Sequence, residues 1–233
     1  MNGWHVWLLI GLAAAWLVAV GYWQLVIAEG AYLGQRIVTW LYDLAAPRYD
    51  DIKQYTPGAE ADYLGRPLAD ALRGLEAPLL LDVATGTARL PLTLLDQGSF
   101  RGQIIGLDHS RHMLRVAAQK TEGCQHRLML IWRDAAALPF PDDCFDAVSC
   151  LEMLEFTPSP EAQLVEVVRV LRPGGLLLTT RRRGLNRRLM PGKTHSRLEF
   201  EVLLEELGIT RISIQVWQVE YDLVWGVKAG RPP

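Results

Sequence analysis

Charge of either sign is missing from the first stretch of this 233-residue chain: between Trp4 and Ala28 there is no Lys, Arg, Asp or Glu. A solvated surface helix is thereby excluded, since roughly 25 uncharged and mostly apolar residues form a helix of about 37 Å that can cross a bilayer with some tilt. Cysteine is scarce, and Cys124, Cys144 and Cys150 form neither a CxxC pair nor a His-spaced set. This argues against a disulfide framework or a zinc site and leaves idle thiols in a reducing compartment. The net charge is only −2, so nothing draws the whole molecule to nucleic acid, and an anionic partner must be met by a local basic patch. No Ser/His/Asp set for covalent catalysis and no metal cluster stands out.

The apolar run has Trp4 and Trp7 near one end and Tyr22 and Trp23 near the other, where amphipathic rings favour the headgroup level; Trp16, mid-span, departs from that belt. A cleaved signal peptide is the rival, with Ala13-Ala14-Ala15 as its cleavage site. However, no Lys or Arg precedes the run, and the run continues well past those alanines. A retained anchor follows, spanning residues 4–28. Arg36, Arg48 and Lys53 lie after it, which orients the remainder toward the cytoplasm in a single-pass arrangement.

Beyond the anchor (1–30), residues 31–61 read as an amphipathic helix and a lid. Ile37, Val38, Leu41 and Leu44 recur at helical spacing over 31–45, Pro47 interrupts them, and Pro57-Gly58 marks a loop. This helix rests either on the membrane or on the domain. Residues 62–233 form the catalytic domain, opening with a helix from Leu64 to Leu75. Strands then alternate with helices: Leu79–Val83, Gln103–Leu107, Arg127–Arg133, Ala147–Leu151 and Leu176–Thr180, the last after a turn at Pro173-Gly174-Gly175. Such alternation predicts an α/β, Rossmann-like doubly wound sheet, mostly parallel. After a helix from Leu198 to Leu207, the runs RISIQVW and EYDLVWGV are separated by almost nothing, so the sheet ends in a C-terminal antiparallel hairpin.

The stretch LLLDVATGTARL, Leu79 to Leu90, is an apolar strand feeding a small-residue turn, and a second apolar run ends in Asp108 about 20 residues beyond that turn. That is a mononucleotide-binding βαβ unit and points to an adenosine cofactor. Ala84, Gly86 and Ala88 recur at every second position, whereas the dinucleotide fingerprint needs its third small residue one place later. The spacing turns the reading from NAD toward S-adenosyl-L-methionine. Gly86 lets backbone approach the cofactor; Ala84 and Ala88 keep most of that clearance without glycine's tolerance of positive φ, so a slightly altered loop is expected. Asp108, ending its strand, is placed to take both ribose hydroxyls.

Five segments in a fixed order, AAPRYDDI, LLLDVATGTARL, IIGLDHSRHML, RDAAALPFPDDCFDAV and VRVLRPGGLLLTT, resemble the small-molecule branch of the class I S-adenosylmethionine-dependent methyltransferases, which includes the ubiquinone/menaquinone methyltransferases. They cover roughly residues 43 to 180. The chain departs from the family at Ala84 and Ala88, commonly glycine there, and at LEMLEF, where the family has an HH-type pair. Asp82, ending the first strand, either caps the turn by accepting from its amides or, as the resemblance implies, orients the methionyl ammonium through water; the resemblance also implies that Asp134 and the Ala135 amide read the adenine edge and that His109 borders the cofactor beside Asp108. Met113 either covers an adenine face or is plain core. Tyr49, in the family's YD signature, either closes over the sulfonium, favourable by about 0.5 to 2 kcal/mol, or simply anchors the lid.

Glu152 and Glu155 follow the fourth strand near the expected methyl position and are candidates for general base or acceptor-orienting group, against the alternative of solvated helix-end carboxylates. Arg181 to Arg197, RRRGLNRRLMPGKTHSR, holds seven basic residues and no acidic one. It reads as a loop that rests on anionic lipid or binds a lipid headgroup, or is merely solvated; nucleic acid comes last for want of stacking aromatics. The function expected is methyl transfer from S-adenosyl-L-methionine to a small-molecule or lipid acceptor. The rivals are a non-catalytic methyltransferase-like binding protein at the membrane and an NAD-dependent oxidoreductase, the latter lacking a Tyr-x-x-x-Lys pair.

Overall fold

The structure, a computed structural model, describes residues 4–230; positions 1–3 and 231–233 of the expected anchor and catalytic segments lie outside the described residues. Helix α1 (Trp4–Tyr22) continues as a π-helical turn, Trp23–Ile27, giving a mostly apolar helix of 24 residues with none of its apolar window buried against the protein. Helix α2 (Gln35–Ala45) follows. Pro47 does not end the helical path: a 3-10 turn, Ala46–Arg48, leads directly into α3 (Tyr49–Lys53).

The loop expected at Pro57-Gly58 is instead the start of a helix, α4 (Pro57–Glu60), which runs through a π turn, Ala61–Gly65, into α5 (Arg66–Leu72). Proline is harmless at the first helical position, where its missing N–H would have had no partner. Leu64, Leu68 and Leu72 then recur at four-residue spacing and are buried, which supplies the packing that holds the helix.

Seven strands follow: β1 (Leu79–Val83), β2 (Gln103–Asp108), β3 (Leu128–Trp132), β4 (Phe145–Cys150), β5 (Leu171–Arg182), β6 (Ile209–Val216) and β7 (Tyr221–Lys228). Interleaved with them are α6 (Arg89–Leu95), α7 (Arg111–Lys120), α8 (Pro160–Val170), α9 (Gly184–Arg188) and α10 (Arg197–Glu206). The sheet order is β3-β2-β1-β4-β5-β7-β6. Pairings among the first five strands are parallel, and β7 inserts antiparallel between β5 and β6, as the strand–helix alternation and the tight final connection predicted.

Successive side chains of a strand face opposite sides of the sheet, and β1 serves both cores. Leu81 and Val83 pack with Phe145, Leu164 and Phe200 on one side, while Leu80 packs with Leu68, Leu94 and Ile104 on the other. The order reverses between β1 and β4, which opens a crevice at their carboxyl ends.

Pro173-Gly174-Gly175 is not a turn before the fifth strand. β5 starts at Leu171 and passes through these residues by a register shift, pairing Phe145 with Leu171 and then Ala147 with Leu176. Gly174 takes φ +76°, the left-handed region open to glycine. At its other end β5 carries Arg181 and Arg182 inside the sheet, pairing with Asp222 and Tyr221 of β7, so the basic stretch expected as a loop begins as a buried strand.

Candidate functional site

The crevice above β1 and β4 holds an open cavity of about 830 Å³, solvent at its mouth included. Its floor is the turn after β1. Ala84 has φ +57°, Gly86 +55° and Ala88 +63°. Both alanines adopt the left-handed conformation that glycine takes readily. For an L-residue that costs about 1–2 kcal/mol. A Cβ built on Gly86 would meet nothing within 4 Å, so the space above this backbone is clear for a ligand.

Asp108 ends β2 with its carboxylate against that turn. Oδ2 accepts from the Gly86 amide at 2.8 Å and Oδ1 from the Ser110 amide at 2.8 Å. Each oxygen retains acceptor capacity toward the cavity. Burial raises its pKa against the opposing pull of the Ser110 and Gly86 amides. His109 lines the same wall, and its Nδ1 is buried with no hydrogen-bond partner. Trp132 stacks beside it at 6.5 Å and donates from Nε1 to the His109 carbonyl at 2.8 Å. Met113 is fully buried and also touches the cavity, as do Asp134 and Ala135.

Asp82 borders a second, smaller cavity of about 360 Å³ on the other side of the turn. Its carboxylate accepts from Ser149 Oγ at 2.6 Å and Thr85 Oγ1 at 2.7 Å. Burial outweighs those hydrogen bonds and pushes the carboxyl up to about 6. Tyr49, Ala84, Gly86, Leu151 and Glu152 line both cavities and so stand between them.

Of the two glutamates after β4, one is at the site. Glu152, at φ +52°, is clamped by Lys53 Nζ at 2.9 Å and Arg89 Nη2 at 3.0 Å. Burial alone would raise its pKa; Arg89 and Lys53 outweigh it and hold the carboxyl below the usual value. Glu155, expected beside the acceptor, lines neither cavity. It accepts from Tyr221 Oη at 2.5 Å and faces Arg182 Nη1 at 3.6 Å in a buried cluster. Its residue type and position after the strand suggested chemistry, but the partners that capture it come from β5 and β7.

Several site residues escaped the sequence reading. Helix α2 roofs the cavity with Gln35, Val38, Thr39 and Tyr42. Gln35 Nε2 donates to Asp134 Oδ1 at 3.3 Å, and Ser110 Oγ donates to Asp43. In the adjoining lid, Asp50 accepts from Thr87 Oγ1 at 2.6 Å and pairs with Lys120. Arg89, at the start of α6, lies 3.9 Å from the Tyr55 ring and 4.9 Å from that of Trp217, with Nη1 buried and unpartnered. The amphipathic pattern of 31–45 was the one available signal for the roof.

Residues 81–179 match the family model described as a methyltransferase domain. Among curated proteins, the chain is 36% identical over 140 residues to a demethylmenaquinone methyltransferase of Thermus thermophilus, covering 59% of this chain and 62% of that one. It is 32% identical over 144 residues to the ubiquinone/menaquinone biosynthesis C-methyltransferase UbiE of Geobacter sulfurreducens, covering 61% and 56%. The chain thus spans about three-fifths of the length of these two relatives. Among solved structures, the [4+2]-cyclase SpnF aligns with a TM-score of 0.67 at 20% identity, over 84% of this chain and 97% of its own. A putative S-adenosyl-L-methionine-dependent methyltransferase of Methanococcus maripaludis aligns at 0.57 with 19% identity, over 82% and 94%. These structures share the fold.

Proposed function

We propose, from the premise that residues 81–179 form a methyltransferase domain, that the chain transfers a methyl group from S-adenosyl-L-methionine to a small lipophilic acceptor at a membrane surface. The observation that carries this reading is the clear space over Gly86, bordered by the Asp108 carboxylate and by a buried His109 Nδ1 without a partner. When bound, S-adenosyl-L-methionine supplies an electrophilic methyl group on a sulfonium. The residues of this chain bind and orient it. Asp108 accepts from the two ribose hydroxyls, His109 and Met113 border the adenosine, and Asp134 with Ala135 meets the adenine edge. Asp82 and Arg89, whose buried Nη1 has no hydrogen-bond partner, line the smaller cavity, where an ammonium and a carboxylate are complementary to them. Tyr49 lines both cavities, with Lys53 Nζ 5.7 Å from its ring, a face favourable to a cation.

Glu152 is assigned a positioning role. Its carboxylate is neutralised by Lys53 and Arg89, so it holds the lid to the rim and is a poor acceptor for a proton. Orienting the reactants supplies the greater part of the rate, about 7–11 kcal/mol for well-placed groups. A lipophilic acceptor of the quinone-precursor class is supported by the names of the two relatives above and by α2, whose outer face leaves Ile37, Trp40 and Leu44 exposed opposite the cavity-lining Val38 and Tyr42. The segment 1–30 is read as a single-pass anchor, 31–61 as roof and lid, and 62–233 as a catalytic domain on the cytoplasmic side, with Arg36 and Arg48 after the span.

The test is calorimetry of the full chain in neutral detergent with S-adenosyl-L-methionine, followed by labelled-methyl transfer to a membrane lipid extract. Asp108→Asn should weaken donor binding about 100-fold, the loss of two charge-assisted hydrogen bonds. No binding at millimolar donor, or undiminished binding by the variant, would overturn the assignment.

A further inference from the structure

The basic stretch after β5 does not behave as one loop. Arg182 is absent from the cleft and faces Glu155 and Glu220 inside the protein, although its Nε and Nη1, like Arg181 Nε, have no hydrogen-bond partner. Arg181, Arg183, Arg187 and Arg188 instead converge with Arg197 of α10 on an open cleft of about 920 Å³. Asp222 is the one carboxylate in its lining, and it is already engaged by Arg181 and Arg183. Glu199, close in sequence, is committed to the α10 capping box through the Ser196 amide. The cleft therefore carries a marked positive excess.

Arg181 is the built part of this site. It is only 9% exposed, held by Asp222 and by the His195 carbonyl, to which Nη1 donates at 3.2 Å. Its Nε is buried and has no hydrogen-bond partner. An oriented, buried donor left unpaired is costly until an acceptor reaches it. Planar guanidinium groups converging on one space suit phosphate oxygens, which they bind in pairs.

The surroundings identify where such a phosphate comes from. Leu185 of α9 lies in the cleft wall and is 69% exposed. Just beyond α9, the Leu189 carbonyl accepts from Trp23 Nε1 at 2.9 Å and the Pro191 carbonyl from Tyr32 Oη at 2.8 Å. The cleft thus adjoins the segment that grips the end of the apolar helix. We propose that it binds the phosphate headgroup of an anionic phospholipid in the leaflet into which that helix emerges. Leu185 enters the acyl boundary while the arginines take the headgroup. The inference rests on reading Trp4–Ile27 as a membrane span, and it is independent of the methyl-transfer reaction.

The full chain is reconstituted in phosphatidylcholine vesicles with and without phosphatidylglycerol. Flotation at high salt reports the anchor, native mass spectrometry reports the retained lipid, and calorimetry in the same samples reports S-adenosyl-L-methionine binding. The parent should retain phosphatidylglycerol in preference to phosphatidylcholine. The exposed-site double variant R187Q/R188Q should still float, bind the donor unchanged and lose roughly 30-fold in that preference, about 2 kcal/mol for two surface charges. Equal retention of both lipids by the parent, full preference in the variant, or displacement of the lipid by equimolar inorganic phosphate overturns the proposal. Failure to float with neutral vesicles overturns the span and this site with it. Loss of donor binding alone would refute the proposed reaction and leave the lipid site standing.

Discussion

Replacing Arg182 by Met tests whether the buried cluster beyond the cavity is held by charge. The Arg182 side chain is 2% exposed, with Glu155, itself 3% exposed, 3.6 Å from Nη1 and Glu220 2.8 Å from Nη2. Glu29 lies at 3.9 Å and the Ile27 carbonyl at 3.5 Å, so the same guanidinium ties the end of the apolar helix to the domain. Met fills a similar volume but leaves Glu155 without its cation. Breaking a buried pair in this way costs about 3–5 kcal/mol, a large share of the roughly 5–15 kcal/mol that holds a typical fold. For a chain of this size that is a fall in Tm of about 6–20 °C, readable by circular dichroism of the full chain in neutral detergent. The double variant R182M/E155Q removes the orphaned charge while keeping an oxygen for Tyr221 Oη, and it should recover most of the loss. The pH dependence has a definite sign. Burial already raises the Glu155 pKa above 4.5 against the pull of Arg182, and without Arg182 it rises further. A carboxyl with a raised folded pKa stabilises fully below its unfolded value and loses that contribution as pH climbs through the folded one. The R182M deficit should therefore be small in acid and grow toward neutrality. A single variant within about 1 kcal/mol of the parent, or a deficit indifferent to pH, would refute the reasoning.

Ala84→Gly relieves a left-handed alanine, about 1–2 kcal/mol, against about 0.4–1 kcal/mol of added chain entropy in the unfolded state; chemical denaturation should show a net gain of about 0.5 kcal/mol. Ala88→Gly gains the same relief but gives up a fully buried methyl, about 0.8 kcal/mol, and should be close to neutral; equal effects at the two positions would contradict this account. Gly86→Ala should destabilise by only about 1 kcal/mol, since its methyl meets no atom, yet should cut donor affinity measurably more than it cuts stability. Asp82, at about 6 against an ordinary 3.8, favours the fold while protonated, so that contribution is lost as pH rises between these values. Asp82→Asn should flatten that part of the stability profile, and an unchanged slope would show that other carboxyls carry it.

What the sequence made legible was local. LLLDV and IIGLD announce β1 and β2 because parallel strands buried on both faces are continuous apolar runs, and the turn between strand and helix follows from small residues. Asp108 was legible because its place is set by the strand it ends. The rest depends on partners distant in the chain. A proline and two glycines look like a turn, yet β4 accepts them as a register shift within β5. Arg181 and Arg182 look like the start of a basic loop until Asp222, Glu220 and Glu155 arrive from other segments. Glu155 looks like a catalytic carboxylate for the same reason. The roof was half legible: the period of α2 reveals two faces, but only the fold tells which one covers the cavity.

One apolar cluster joins the long helix to the cavity. Ala28 and Ala31, just beyond that helix, pack with Val38, Phe156 and Met190, with Trp23, Tyr32 and Tyr42 against them. Val38, Tyr42 and Phe156 also line the cavity. Tyr42 Oη in turn donates to Glu29 at 2.9 Å. On the proposed reading of the helix as a span, the consequence is geometric. A 24-residue helix is about 36 Å long, against about 30 Å of hydrocarbon, so its last turn stands at headgroup level. Trp23, hydrogen-bonded to Leu189, then fixes the height of α9 and its arginines, and the cluster of Ala28 and Ala31 with Val38 and Tyr42 ties the cavity roof to the same end of the helix. The exposed Ile37, Trp40 and Leu44 belong to that same roof helix and, on the proposed reading, are the apolar groups it offers to the bilayer surface. On that same reading an acceptor dissolved in the membrane meets the outer face of this helix first, and Val38 and Tyr42 on its other face already line the cavity.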